Sequence, residues 1–187
     1  YMEPANEVGG DYYDVLNQDG MVKIGIGDVT DHGLESGVIM LMAQTAVRTL
    51  LNCGESDPVR FLDALNRTVY GNIQRMQTDR NLTLSLVDYA GHRGRGGEMR
   101  LSGQHEEMIV IRKDHSVELV DTSNLGFPIG LVDDVSDLFD HTTINLEPGD
   151  GVILYTDGIT EAENIEHEYF GLDNLCQSAA QVWDAPA

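Results

Sequence analysis

The order of apolar and polar residues predicts a pair of helices between two groups of strands. Residues 22–26 alternate apolar with small or polar side chains, as expected of a strand. Residues 35–51 carry apolar side chains three and four positions apart, which predicts a helix. A second helix is expected to begin at Asp57-Pro58, because aspartate suits the N-cap and proline the first helical position.

From Leu82 onward, short apolar runs are separated by turn residues, which is typical of strands. Strands that flank a helical pair indicate the α+β class with antiparallel sheets, not a doubly wound parallel fold. The glycine-rich stretch 91–97 lacks the lysine of a nucleotide loop and is expected to be a hairpin connection. We expect strands over 82–86, 99–101, 108–112, 117–120, 142–146 and 152–155, and a last helix over 172–183.

Length and charge restrict the classes of function. The 187 residues suit one domain with a substantial core. With 32 acidic and 11 basic residues, the formal net charge is -21, which disfavours nucleic acid and anionic lipid as partners. No apolar run approaches the ~20 residues of a membrane-spanning helix. Cys53 and Cys176 lack metal-binding spacing, so a reducing cytoplasm is expected and a disulfide framework is not.

Three acidic motifs carry the candidate chemistry. Each places an aspartate beside a glycine at a predicted strand end, where the backbone can approach a ligand closely. Carboxylates and backbone carbonyls are ligands that suit magnesium and manganese. One such motif alone is usually a turn, but three can converge when their strands lie side by side. The motifs are Val8-Gly-Gly-Asp11-Tyr-Tyr-Asp14, Gly27-Asp28-Val29-Thr-Asp31-His32-Gly33 and Tyr155-Thr-Asp157-Gly-Ile-Thr-Glu161-Ala162.

In this order, the three motifs resemble the metal-dependent protein phosphatase family of the protein phosphatase 2C type, in its bacterial stage II sporulation branch. The resemblance covers residues 7–51 and 125–175 and implies a sandwich of two antiparallel sheets flanked by helices. It also implies a serine/threonine phosphatase that uses two Mn²⁺ or Mg²⁺ ions at one edge of the sandwich. An activated water would attack phosphorus directly, without a covalent phosphoenzyme.

The resemblance assigns roles to residues of the motifs. Asp28 would bridge the two cations, Asp11 and the Val29 carbonyl would bind one of them, and Asp157 would bind the other. Asp14 and Glu161 are weaker candidates, expected beside the ligands rather than among them. The implied partners are a phosphorylated protein substrate, such as an anti-sigma-factor antagonist, and upstream sensor or receiver domains.

Two departures from the family pattern keep other interpretations open. Domains of the family continue into a final strand with another metal-binding aspartate, whereas this sequence ends at Ala187 before such a motif. The resemblance also implies a first strand and helix that this sequence lacks upstream of Tyr1, so we expect residues 1–187 to be one phosphatase domain truncated at both ends. A rival interpretation is the same fold kept for partner binding with a compromised metal site. A third is an acidic protein that merely binds calcium.

The second departure is Asp31, which stands where relatives commonly have glycine. Glycine there suggests positive φ or close approach to a ligand, and aspartate tolerates positive φ better than most residues. Its carboxylate could bind metal, repel phosphate or face solvent. We expect His32 to shape the loop and residues 103–105 to be structural. No arginine adjoins a motif in sequence, so phosphate binding is expected to rest on the cations.

Overall fold

Two antiparallel sheets lie between helices in the computed structural model, which describes residues 9–18, 20–91 and 95–184. The strands are β1 (Tyr12–Gln18), β2 (Met21–Val29), β3 (Leu82–Gly91), β4 (Gly97–Ser102), β5 (Met108–Ile111), β6 (Val117–Val120), β7 (His141–Leu146) and β8 (Gly151–Ile153). The helices are α1 (Leu34–Asn52), α2 (Pro58–Met76), α3 (Asp157–Thr160) and α4 (Leu172–Gln181), with a 3-10 turn over Ser136–Leu138.

Every pairing between neighbouring strands is antiparallel within the described ranges. One sheet has five strands in the order β1-β2-β3-β4-β7, and the other has three in the order β6-β5-β8. The register of β1 and β2 places Tyr12 opposite Gly27. The register of β2 and β3 places Asp28 opposite Thr83. The first and second motifs are therefore neighbours on the five-stranded sheet.

The outer face of the five-stranded sheet packs against α1 and α2. Leu82, Leu84 and Leu86 of β3 point to this side because side chains two residues apart share a face of a strand. These leucines are fully buried against α1 and α2. The side chains that each helix contributes lie three and four positions apart in sequence, on one face of the helix. The helical members of this cluster include Ile39, Ala43, Val47, Phe61, Leu62, Leu65, Val69 and Ile73.

The two sheets pack face to face, and α4 covers the far side of the smaller one. In β5, Met108 and Val110 contact the five-stranded sheet, whereas Ile109 and Ile111 pack towards Leu175 of α4. Burial on both faces explains why β5 is a continuous apolar run rather than an alternating one. The predicted α+β sandwich flanked by helices is confirmed.

The predicted elements agree with the structure within a few residues, but β1, the short helix α3 and the 3-10 turn were not predicted. β1 was not predicted, because its sequence mixes tyrosines with polar residues and it lies at the edge of the sheet. The last helix ends at Gln181 rather than at residue 183. The register that pairs Gly91 with Gly97 supports the hairpin between β3 and β4. Residues 92–94 of that connection, and residues 1–8 with the start of the first motif, lie outside the described residues.

Candidate functional site

Asp28 is the centre of a cluster formed by all three motifs. It lies near the end of β2 and is half-buried. Burial, the negative charges of Asp11 and Asp157, and a hydrogen bond with the Asp11 carboxyl raise the pKa of Asp28 to about 7. These effects require Asp11 and Asp157 to lie close to Asp28, although they are far from it in sequence. The structure thus brings the three predicted carboxylates together.

Gly10 allows the first and second motifs to touch. A Cβ atom at position 10 would lie 2.8 Å from the Val29 carbonyl oxygen and 3.3 Å from Asp28 Oδ1. The Val29 amide also donates a hydrogen bond to the Gly10 carbonyl over 3.4 Å. A side chain at position 10 would therefore displace the Val29 carbonyl, which the family resemblance implies as a metal ligand.

Asp157 begins the short helix α3, just after β8. Its carboxylate is exposed, and the preceding residue connects the third motif to the first: Thr156 Oγ1 donates to Asp11 Oδ2 over 3.3 Å. The sequence predicted that all three aspartates lie at strand ends, but this prediction does not hold for Asp157. Asp11 precedes β1, and Asp157 is the first residue of a helix.

The donor atoms of this cluster fit hard divalent cations, which prefer carboxylate and carbonyl oxygens. The pKa of Asp28 is raised by burial and then by the negative charges of Asp11 and Asp157, and a cation would offset these charges. However, no three histidine, cysteine or acidic side chains among the described residues surround one point closely enough to hold an ion. The described structure thus brings carboxylate oxygens of the three motifs and the Val29 carbonyl into one region without placing three such side chains around a single point.

Asp14 and Glu161 lie differently from each other. Arg48 of α1 occupies both carboxylate oxygens of Asp14, which is buried against the helix face of the sheet. Glu161 follows α3, with its amide donating to the Asp157 carbonyl over 2.7 Å. Glu161 is exposed and faces Glu106, whose pKa is raised by burial and by the charges of Asp157 and Glu161. The sequence did not indicate Glu106 as a site residue, because two consecutive glutamates match no known motif.

Asp31 has the positive φ expected of this position, at 63°. Its exposed carboxylate lies 3.4 Å from Arg80 Nη1. The Arg80 guanidinium also donates to the Thr30 carbonyl over 3.0 Å and to Ser36 Oγ over 2.8 Å. No arginine adjoins a motif in sequence, but the fold places Arg80 beside the second motif. Arg80 follows α2, and only the fold brings it to this loop.

His105 lies between the two sheets next to the cluster, and its ring contacts Thr83 and Tyr155.

A groove of about 540 Å³ lies beside the cluster and is lined in part by Asp11 and Thr156. Its walls include the exposed apolar side chains of Tyr13 and Ile159.

Comparison with known proteins gives a consistent family relationship. Residues 18–187 match the family model described as stage II sporulation protein E (SpoIIE). Protein IcfG of Synechocystis sp. is 24% identical over 212 residues, which covers 98% of this chain and 32% of IcfG. Phosphoserine phosphatase RsbU of Bacillus subtilis is 26% identical over 188 residues, which covers 96% of this chain and 53% of RsbU. The chain thus spans about a third of IcfG and about half of RsbU.

A solved structure gives the same relationship for the fold. The SiaA-PP2C domain of Pseudomonas aeruginosa aligns with a TM-score of 0.78 at 22% identity, over 98% of this chain and 70% of that one. At this identity the alignment shows the fold alone. Within the described residues, no helix is long and apolar enough to cross a membrane.

Proposed function

Since the chain belongs to the stage II sporulation protein E (SpoIIE) family, whose fold is of the protein phosphatase 2C type, we propose that it hydrolyses phosphoserine or phosphothreonine in a bacterial signalling protein with two Mn²⁺ or Mg²⁺ ions. Membership of this family supports a phosphatase activity. The observation that carries the proposal is the convergence of Asp11 and Asp157 on Asp28, whose pKa is raised to about 7 by burial and then by these two negative charges.

Each residue of the cluster has a defined task in this proposal. Asp28 would serve both cations, because it lies within electrostatic reach of both Asp11 and Asp157. Asp11 is oriented by the Thr156 hydroxyl, and Gly10 leaves room for the Val29 carbonyl. When bound, two such cations supply positive charge that acidifies water and offsets the negative charge of phosphoryl oxygens.

The surroundings of the cluster support a protein substrate. With a net charge of -21, the chain repels a phosphorylated ligand unless positive charge is present locally. The groove beside Tyr13 and Ile159 offers an apolar surface for a residue next to the phosphorylated one. RsbU is named a phosphoserine phosphatase, and the resemblance of the three motifs to the stage II sporulation branch suggests an anti-sigma-factor antagonist as the substrate class. Upstream sensor or receiver domains and a cytoplasmic location belong to the same proposal.

The test is manganese-dependent hydrolysis of a phosphoserine peptide by the full chain. Asp28→Asn should lower kcat/KM by more than about 100-fold, the upper range for losing a residue that only orients a metal ligand. Asp137→Asn, which removes the same charge from the exposed 3-10 turn, is the matched control and should retain full activity. Activity of Asp28→Asn within a few-fold of the control would contradict the proposal.

A second candidate is a phosphatase fold that binds a partner without catalysis. It is favoured by one observation, that the described carboxylates do not close around a single point. This candidate predicts binding of the phosphopeptide without release of inorganic phosphate at saturating manganese. Calcium binding with neither peptide binding nor hydrolysis would instead identify an acidic calcium-binding protein.

A further inference from the structure

One histidine connects the strand beside Asp28 to the segment that carries Asp157. Thr83 is the register partner of Asp28 in the β2–β3 pair. The Thr83 hydroxyl lies 2.9 Å from His105 Nδ1, and His105 Nε2 lies 3.0 Å from the Tyr155 carbonyl oxygen. Tyr155 is two residues before Asp157, so the imidazole spans the distance between the two motifs.

This connection matters because the two motifs belong to different sheets. β2 is in the five-stranded sheet, whereas β8, which leads into Asp157, is in the three-stranded sheet. The backbone ladders described for the two sheets therefore do not fix Asp28 relative to Asp157. The exposed position of Asp157 on a four-residue helix gives it little packing of its own.

The backbone around His105 is held firmly in place. The His105 amide donates to Thr122 Oγ1 over 3.1 Å, and the Thr122 hydroxyl donates back to the His105 carbonyl. Thr122 is buried. Gly103 adopts a positive φ of 82°, and a Cβ atom there would lie 2.3 Å from the Leu84 carbonyl oxygen. The turn that carries His105 is therefore fixed by hydrogen bonds and by close packing of its backbone, as a positioning residue requires.

The hydrogen-bond partners define which ring nitrogen carries the proton. A carbonyl oxygen only accepts hydrogen bonds, so His105 Nε2 must carry hydrogen to bond with Tyr155. Burial lowers the pKa of His105, which favours the neutral ring. Nδ1 is then an acceptor for the Thr83 hydroxyl at 2.9 Å, and it lies closer to that hydroxyl than the other acceptor, the Asp28 carbonyl oxygen at 3.4 Å. Since both nitrogens are occupied, neither is available to bind a cation or to accept a proton from water.

We propose that His105 is a positioning residue that holds the Asp157 segment at a fixed distance from Asp28. Its effect on cations rests on the proposed function, but the link between Thr83 and Tyr155 does not. Loss of the link would let the third motif move relative to the first two. Binding at the Asp28–Asp157 pair would then weaken more than binding at the Asp28–Asp11 pair.

Three substitutions in the full chain separate this role from simple packing. His105→Gln can place an amide donor near the Nε2 position and keep the bond to Tyr155. His105→Asn can place an acceptor near Nδ1 and keep only the bond to Thr83. His105→Phe preserves ring volume and removes both bonds. A positioning role predicts that Gln rescues cation binding, whereas a packing role predicts that Phe does.

The measurements are manganese titration by calorimetry and amide NMR of residues 157–160. We expect His105→Phe and His105→Asn to lose about 10- to 100-fold in manganese affinity, the range for residues that orient metal ligands, and His105→Gln to lose much less. Imidazole nitrogen shifts should show hydrogen on Nε2. The proposal is overturned if Phe binds manganese like wild type and the 157–160 amide signals do not move.

Failure of the proposed function gives a different result. If the wild-type chain binds no manganese and hydrolyses no phosphopeptide, the metal-dependent function is wrong. The positioning role of His105 is then decided by metal-free spectra: shifted 157–160 amides in Phe but not in Gln support it, and identical spectra contradict it. Thr83→Val removes the hydroxyl that bonds to Nδ1 of the ring. It should shift the 157–160 amide signals less than His105→Phe does.

Discussion

Asp14 of the first motif and Arg48 of α1 form a bidentate ion pair. Arg48 Nε lies 2.7 Å from Asp14 Oδ2, and Nη2 lies 2.9 Å from Oδ1. Both oxygens of Asp14 are therefore committed to the guanidinium, on the face of β1 that packs against the helix. Of the two aspartates in the first motif, only Asp11 faces the cluster around Asp28.

The consequence is a contrast between Asp14→Asn and Asp11→Asn. Asp14→Asn should lower the melting temperature, because it breaks the ion pair of a buried carboxylate. Its manganese affinity should change by less than the about tenfold loss typical of residues that orient a ligand. Asp11→Asn should weaken manganese binding and leave the melting temperature nearly unchanged. Calorimetry and thermal unfolding of both variants decide this, and equal losses of affinity would place Asp14 in the site after all.

Manganese affinity should depend steeply on pH. Burial, and then the charges of Asp11 and Asp157, raise the pKa of Asp28 to about 7, so a cation must displace its proton below that pH. The apparent affinity should increase about tenfold per pH unit up to pH 7 and then level off. Titrations in buffers of different ionisation enthalpy would also detect the released proton. An affinity that is flat between pH 5 and 7 would contradict the raised pKa.

The stability of the metal-free chain should have the opposite pH dependence. The pKa of Asp28 is higher in the folded protein than its ordinary value of 3.8, so folding favours the protonated carboxyl. This contribution is fully present below pH 3.8 and is lost as pH rises through about 7. Asp28→Asn should stabilise the metal-free chain above pH 7 by about 1–2 kcal/mol, after allowance for screening of a half-exposed group. Urea unfolding at pH 5 and pH 8 measures the difference.

Gly10→Ala tests the close approach of the first and second motifs. The added methyl group would lie 2.8 Å from the Val29 carbonyl oxygen and must displace it. We expect weaker manganese binding and a stability loss of about 1–3 kcal/mol from overpacking. Gly158→Ala is the control, because a Cβ atom there meets nothing within 4 Å. If both variants bind manganese like wild type, the Val29 carbonyl does not contribute to the site.

Asp31→Gly separates backbone strain from charge. Glycine relieves the positive φ of 63°, worth about 1 kcal/mol, so the melting temperature should change little. The substitution also leaves Arg80 without one of its two acidic neighbours, the other being Glu35. The more positive loop should lower KM for a phosphopeptide, and Asp31→Asn should do the same without relieving the strain. If KM and manganese affinity are unchanged in both variants, Asp31 is a solvated loop residue.

Local patterns were sufficient to predict most of the elements. The helices over 35–51 and from Asp57 were visible because a 3.6-residue period forms a single apolar face, and α1 and α2 agree with them. β5 was visible as a short apolar run. β1 was missed, because Tyr13 and Val15 are exposed on one face and Asp14 is buried on the other, which reverses the usual pattern of burial.

The chain's order of aspartate and glycine motifs likewise indicated a phosphatase of the protein phosphatase 2C type without any coordinates. A motif shows which side chains are present and where the backbone turns, because both are properties of neighbouring residues. The tertiary structure alone showed that Arg48 occupies Asp14, that Arg80 reaches the Asp31 loop, and that His105 joins Thr83 to Tyr155. These relationships depend on distances through space between residues far apart in sequence, and so does the pKa of Asp28, because electrostatic interaction and burial act across the fold rather than along the chain.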